Sequence, residues 1–434
     1  MTMKIVTAKQ YLSEKEQQAS TQMTMKNIDE SVLEIIKQVK QRGDKALFQY
    51  TRKFDAADLT DLLVSEEEFE EAEKAVSDEF RSALKQAKAN ITEFHQIQKE
   101  QSWFINKENG IMLGQKVTPI DKAGIYIPGG KAAYPSSVLM NAIPAKLAGV
   151  EKIMITTPPQ ANGKISPYVL IAAKEAEVDK VYKIGGAQAI AALAYGTKTI
   201  EKVSKIVGPG NAYVARAKKW VFGDVAIDMI AGPSEICIVA DETAPPAYAA
   251  ADLLSQAEHD ESAKPICITT NSNLAERIKL EVEKQTARLE RKEIIQRSLE
   301  QNGRIVLAEN QLEAFELAND IAPEHLQLMV ENPTEKLQYV KNAGAVFLGN
   351  HSPEALGDYF AGPNHTLPTS GTAKFSSPLG VYDFVKKSSI ISYSSGALQE
   401  ASNPIISLAT MEGLTAHANS IQVRKEGSHA KLQD

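Results

Sequence analysis

The chain has 434 residues, too long for one small core and long enough for two or more domains. Hydrophobic residues at 43% and charged residues at 24% are ordinary for a soluble globular protein, and a net charge of −7 without a basic stripe argues against a nucleic-acid partner. No apolar run reaches membrane-span length and the opening Met1-Thr-Met-Lys-Ile-Val6 lacks a signal-peptide core; the two cysteines, Cys237 and Cys267, exclude a disulfide scaffold and fit a reducing cytoplasm.

The first hundred residues read as helical and charged. Ile28–Arg42 and Glu66–Lys99 carry apolar residues at helical spacing among many Glu and Lys. His95 falls in the second segment and reads as surface decoration. Near Thr118 the composition turns to Gly, Pro and β-branched residues, and strand and helix patterns then alternate. Strands are predicted at Lys152–Thr157, Lys180–Ile184 and Lys205–Val207, with helices at Tyr168–Val178, Ala187–Tyr195 and Ala212–Phe222. After Ile230-Ala-Gly-Pro-Ser234 the alternation resumes. Strands are predicted at Ile236–Val239, Pro265–Thr269, Arg304–Leu307 and Ala345–Leu348, with helices over 246–260, Leu274–Leu289 and Leu312–Ile321. Such βα alternation implies parallel sheets with covering helices, here as two α/β layers. The tail beyond about residue 381 reads as shorter and mixed.

Three glycine runs follow strand-like segments: Gly124-Ile-Tyr-Ile-Pro-Gly-Gly130, Ile184-Gly-Gly-Ala-Gln188 and Val207-Gly-Pro-Gly-Asn211. None matches G-x-G-x-x-G, and each alone could be a tight βα turn. Together, with Tyr126, Gln188 and Asn211 available for hydrogen bonds or stacking, they favour nucleotide binding.

The titratable groups lie mostly later. Gln256 and His259 are three apart at the end of the 246–260 helix and project from one face, which suits a metal or substrate site as well as a polar helix terminus. Glu324 and His325 are adjacent in Asp320-Ile-Ala-Pro-Glu-His-Leu326, where a turn lets both reach one cavity and divide acid and base work near neutral pH. Leu356–Gly371 is a long irregular stretch offering Asp358 as a metal carboxylate and His365 as a substrate contact. His351 reads as turn chemistry and His429 as solvent-exposed, while Glu412 and His417 lie close together near the C-terminus. Zinc accepts His nitrogen and carboxylate oxygen, but no spacing rule joins Gln256, His259, Asp358 and His417.

At these residues the chain resembles the histidinol dehydrogenase family over nearly its whole length. The resemblance rests on Gly124–Gly130, Gly208-Pro-Gly-Asn-Ala-Tyr-Val214, Ala231-Gly-Pro-Ser-Glu235, Leu253–Asp260, Ala322-Pro-Glu-His-Leu326, Gly357–Thr369 and Glu412-Gly-Leu-Thr-Ala-His417. It implies two incomplete Rossmann-like parallel-sheet domains of the aldehyde dehydrogenase-like kind with small N- and C-terminal extensions. The expected division is an extension over 1–25, a zinc-bearing catalytic domain from 26–123 plus 236–380, an NAD-binding domain over 124–235, and a tail over 381–434 that crosses to a partner subunit. It implies a cytoplasmic, homodimeric enzyme oxidising L-histidinol to L-histidine in two NAD-dependent steps. Gln256, His259, Asp358 and His417 would be the ligands of one Zn2+ per subunit and, through it, contacts of the substrate. Ser234, His325, His365 and Glu412 would touch the substrate directly, and Glu324 with His325 would form the acid–base pair. Tyr126, Gln188 and Asn211 would bind NAD. Two other readings of the same residues are a zinc hydrolase and a dehydrogenase of another polar alcohol.

Overall fold

The computed structural model describes residues 3–19, 25–129 and 133–430; Gly130 of the first glycine run lies outside them, as does the side chain of His429. The chain packs as two units, Met1–Lys99 with Ile120–Phe384, and Glu100–Pro119 with Val385–Asp434.

The first unit contains two parallel sheets. One has six strands in the order Lys4–Thr7, Arg304–Leu307, Lys264–Thr269, Glu235–Ala240, His325–Met329 and Ala345–Leu348. The other has five, in the order Lys180–Lys183, Lys152–Thr157, Lys122–Tyr126, Lys205–Val207 and Ala226–Ile227. The central strands are continuous apolar runs such as Ile236-Cys-Ile-Val239, buried along their length, as strands covered on both faces must be. The predicted strands and helices of residues 152–348 are all present, with ends shifted by a few residues. The first strand, Lys4–Thr7, belongs to the six-stranded sheet, pairing with Arg304–Leu307 at its edge.

Helices cover both sheets by burying one stripe each. Pro246–Ala257 has proline in its first turn, where a missing N–H costs nothing, and turns Ala249, Ala250, Leu253 and Leu254 inward. The helices between Met25 and Gln96, expected to go with the 236–380 half, share their cores with the five-stranded sheet instead. Val32, Val39 and Leu47 pack with Ile190, Leu193 and Ile206, and Leu84 and Ile91 with Ile125 and Ile153. In the second unit, an antiparallel sheet of Val385–Ser392, Met112–Pro119 and Trp103–Asn106 accompanies two long helices, Ser395–Met411 and Thr415–Ala430. The tail is therefore far more regular than its mixed composition predicts. Among the described residues no helix is long and apolar enough to cross a membrane.

The five-stranded sheet carries an electrostatic constraint at its amino edge. Three neighbouring strands begin with Lys122, Lys152 and Lys180; parallel pairing sets Lys122 opposite Lys152, while Lys180 lies opposite Met154, two residues further along. One carboxylate, Glu201, accepts from all three, at 2.5, 2.7 and 3.4 Å. These lysines, Lys122 foremost, hold its pKa down to about 2 against an ordinary 4.5. A depressed carboxylate pKa adds stability above the ordinary value, and that stability drains away as pH falls towards the folded one. Glu201→Gln should therefore be less stable than the parent at pH 7, with the difference shrinking from about pH 4.5 and vanishing near 2. Acid unfolding followed by circular dichroism checks this; a difference constant across that range would remove the ionic origin.

Candidate active site

The titratable cluster gathers at the amino edge of the six-stranded sheet. The helix Gln311–Ile321 ends on Ala322 in a left-handed conformation, and Pro323 then directs the chain into the strand His325–Met329. Glu324 and His325 thus arrive at the start of that strand, where His325 pairs in register with Ile236 beside Glu235. The helix Pro246–Ala257 leaves the carboxyl edge of the strand Glu235–Ala240 and returns Gln256 and His259 to its amino edge. The short helix Glu354–Tyr359 adds Glu354 and Asp358, one turn apart on one face.

Hydrogen bonds fix the tautomer that the central imidazole adopts when neutral. His325 Nδ1 lies 3.0 Å from the Glu235 carbonyl, which can only accept, so Nδ1 carries the proton and the neutral ring keeps a lone pair on Nε2. Among the described residues that buried Nε2 has no hydrogen-bond partner; Asp358 Oδ1 stands 3.6 Å away, beyond bonding distance. The Glu235 N–H donates to Glu324 Oε2 at 3.0 Å. Glu235 is itself tied by Lys264 at 2.9 Å and by the Ser370 N–H at 3.0 Å. With the amide orientation its surroundings demand, Gln256 donates to both carboxylate oxygens of Glu354, at 2.7 Å for Oε2, and accepts from the Glu235 N–H at 3.1 Å.

Burial and mutual repulsion govern the charges. Burial pushes Glu324 up to about 7, against the pull of His325 and the Glu235 N–H. Burial likewise lifts Glu354 to about 8. Burial opposes a charge on His325, but Glu354, Glu324 and Asp358 outweigh it and raise the imidazole well above its ordinary 6.5. Asp358 is also penalised by burial, yet His325, His365 and His259 hold it below its ordinary value. Burial keeps His259 and His365 low, hence neutral and able to donate a lone pair. One ligand atom each from His259, Glu354 and Asp358 lies within 4.8 Å of the others. An imidazole and two carboxylates suit a divalent ion such as zinc, and such an ion supplies the positive charge this acidic pocket lacks.

A cavity of about 500 Å³ opens on His325, Asp358 and His365 and is walled by Phe94, Phe347 and Tyr382. His365 Nδ1 donates to the Asp358 carbonyl at 3.0 Å, and its Nε2 accepts from Ser137 at 3.1 Å. Ser137 stands on the helix Pro135–Ala148, which also holds the loop through Asn141 to Thr366 at 3.2 Å and the Met140 carbonyl to Asn364 at 2.6 Å. His95, read from sequence as surface decoration, is fully buried and lines this same cavity. Its Nδ1 donates to Gln98 Oε1 at 2.8 Å, so it occupies the inward face of an otherwise charged helix.

A larger cavity, about 1130 Å³, lies where the strands of the five-stranded sheet end, against Tyr126, Thr157, Gly186, Gln188 and Asn211. The three sequence candidates line it, though two are partly committed. The Tyr126 hydroxyl accepts from the Gly186 N–H at 3.0 Å. Asn211 Oδ1 caps the helix Ala212–Val221 through Tyr213 and Val214. Gln188 Oε1 is buried without a partner among the described residues. Glycine is required at Gly208, whose φ is +110° and where a Cβ would lie 2.2 Å from the Tyr126 carbonyl oxygen.

The structure thus brings Gln256, His259, Glu324, His325, Asp358 and His365 into one neighbourhood, with Ser234 directly before Glu235. Glu412 and His417 belong to the second unit, where both are exposed. Sequence reasoning overlooked Glu354. Its signal was present: Glu354 and Asp358 form an i, i+4 pair of like charges, which costs helix stability unless a cation sits between them.

Comparison with known proteins agrees with the sequence signatures. A family model described as histidinol dehydrogenase matches residues 18–425. A histidinol dehydrogenase of Oceanobacillus iheyensis is 58% identical over 428 residues, covering 99% of this chain and all of that protein. One from Bacillus subtilis is 56% identical over 395 residues, 91% of this chain and 92% of the relative. The crystal structure of histidinol dehydrogenase from Elizabethkingia anophelis superposes with a TM-score of 0.88 at 42% identity, covering 92% of each chain.

The two thiols stand apart from this chemistry. Cys237 and Cys267 lie on adjacent strands, and their side chains enter different cores, so they do not face each other. Burial raises both, Cys267 to about 12, leaving no thiolate near neutral pH. Neither should react with a thiol-specific reagent in native buffer at pH 8, while both react in guanidinium. Rapid labelling of Cys237 in the folded protein would show that this strand is accessible after all.

Proposed function

The chain belongs to the histidinol dehydrogenase family and is an oxidoreductase, and on that premise we propose that it oxidises L-histidinol to L-histidine, the last step of histidine biosynthesis. The reaction removes four electrons in two steps through a bound L-histidinaldehyde, with NAD as acceptor and one Zn2+ per subunit. The observation that carries the reading is the unpartnered Nε2 of His325, set among buried carboxyl groups beside the donors of His259 and Asp358.

We assign Gln256, His259, Asp358 and His417 to the zinc ion. When bound, zinc would grip the imidazole and amine of the substrate and fix its carbinol carbon, which is catalysis by positioning. The substrate would also meet Ser234, His365 and Glu412. NAD is assigned to the 1130 Å³ cavity at Tyr126, Gln188 and Asn211, within the five-stranded half. The lone pair of His325 Nε2 takes the alcohol proton as the first hydride departs, and its Nδ1–H stays anchored on the Glu235 carbonyl. The aldehyde must then add water before a second hydride can leave. Glu324, pushed up to about 7, is matched to take that proton near neutral pH. Once its first proton has passed to solvent, His325 deprotonates the hydrate as the second hydride departs to a second NAD, which leaves the carboxylate product.

Glu412 and His417, exposed on the second unit, are proposed to complete the site of a second copy in a cytoplasmic homodimer. Mixed dimers of His417→Asn and Glu324→Gln subunits should then recover part of the activity that each pure variant lacks. Absence of any recovery would argue against a shared site.

Two measurements test the chemistry. Two equivalents of NADH should form per L-histidinol consumed, and a chelator should abolish both; a single equivalent with released aldehyde would refute the four-electron reading. Glu324→Gln should slow oxidation of L-histidinaldehyde by about 10²- to 10⁴-fold and slow that of L-histidinol less. Equal losses in both half-reactions would remove the water-activating role.

A further inference from the structure

The ion pair between Lys218 and Asp228 takes no part in the chemistry above, yet its side chains are only 2% and 1% exposed. Lys218 stands on the helix Ala212–Val221, and Asp228 follows the edge strand Ala226–Ile227. Taking two charges out of water can cost more than their attraction returns, and well-packed apolar residues often serve stability as well. What the pair supplies, and apolar residues do not, is a donor and acceptors at fixed points.

Those points fall on one residue. The strand Lys205–Val207 pairs with Lys122–Tyr126 only as far as Val207, so the buried N–H and C=O of Gly208 need partners outside the ladder. The N–H donates to Asp228 Oδ2 at 2.8 Å, and the carbonyl accepts from Lys218 Nζ at 2.8 Å. Asp228 Oδ1 accepts from Lys218 and, at 2.6 Å, from the Met229 N–H. Gly208 is thus held from both sides at a φ of +110°. Two of the residues assigned to NAD depend on it. Its backbone lies against that of Tyr126 with no room for a Cβ, and Pro209-Gly210 leads directly to Asn211. Gly210 is packed in turn on Val214, in the first turn of the helix that Asn211 caps.

We propose that Lys218 and Asp228 are a positioning pair for the dinucleotide, clamping Gly208 so that Tyr126 and Asn211 are set at the wall of the 1130 Å³ cavity before NAD arrives. A wall set in advance spares the nucleotide the entropy of ordering it. The inference rests on the NAD assignment given above.

Nucleotide binding tests this apart from turnover. The dissociation constant for NADH is read from nucleotide fluorescence with the full-length parent, Lys218→Met and the double variant Lys218→Met/Asp228→Asn. Lys218→Met strands a buried carboxylate and should unfold at a lower temperature, whereas the double variant removes both charges and should recover much of that loss. Both should bind NADH about 3- to 10-fold more weakly, because the Gly208 carbonyl lacks its donor in each. The KM for NAD should rise in step while the KM for L-histidinol holds. Parent-like NADH affinity in the folded double variant would reduce the pair to a brace of the fold and overturn the proposal, as would equal rises in both KM values. Hydrogen exchange on the parent needs no variant. The Gly208 and Met229 amides should be protected already in the nucleotide-free protein, and protection that appears only with NADH would overturn the clamp. A parent that binds no NADH would remove the cavity assignment itself, and the proposal with it.

Discussion

Buried negative charge is the constraint around which the site is organised. Glu235, Glu324, Glu354 and Asp358 share the amino edge of one sheet, and among the described residues only Glu235 of these four has a lysine partner, Lys264. Removing an ion from water costs several kcal/mol even after relaxation, so each carboxyl group needs a specific answer. Glu324 has the Glu235 N–H, Glu354 has the Gln256 amide, and Asp358 has the three imidazoles around it. Without a cation the balance is struck by letting protons stay on Glu324 and Glu354 and by charging His325. A divalent ion would reverse that logic and return His325 to the neutral form in which Nε2 is a base. The same acidic crowding thus accounts for both the affinity for a cation and the state of the imidazole beside it.

The location of this cluster departs from the rule that guided the sequence reading. Ligands of open α/β sheets usually sit beyond the carboxyl ends of the strands. The 1130 Å³ cavity obeys that rule, bordered by Tyr126 and Thr157 at strand ends. Glu235, Glu324 and His325 break it, because they lie at strand beginnings. One sheet thus presents its carboxyl edge and the other its amino edge, a difference set by three-dimensional topology. Strand periodicity is blind to it, since a strand reads the same whichever end carries the chemistry.

What was legible in the chain follows from how local each signal is. The βα alternation over residues 152–348 is written in apolar runs and turn residues, and it emerged as expected. Gln256 with His259, and Glu324 with His325, were readable because each pair is close in sequence. Glu354 was overlooked although its i, i+4 pairing with Asp358 is local, because its contact with Gln256, on another helix, is visible only in three dimensions. His95 misled because its helix is rich in Glu and Lys, and only contact with Gln98 and the cavity wall shows which face is buried. The N-terminal helices misled for a related reason: amphipathic stripes announce that a face will be buried but not against which sheet.

The helix Pro135–Ala148 links the two kinds of edge. It follows the first glycine run, on the side of the five-stranded sheet, and almost its whole surface is buried. Such a helix has no solvent face and little freedom to shift, because its neighbours are packed at interior density. Ser137, Met140 and Asn141 on this helix bind three consecutive loop residues, Asn364, His365 and Thr366. His365 in turn bonds the Asp358 carbonyl at 3.0 Å. A rigid element of one half therefore sets where the side chains of the other half stand. Transfer of a hydride between two separately held groups needs their separation fixed to a fraction of an ångström. A helix buried on all sides, bonded to three residues in a row, is a physical means of fixing it.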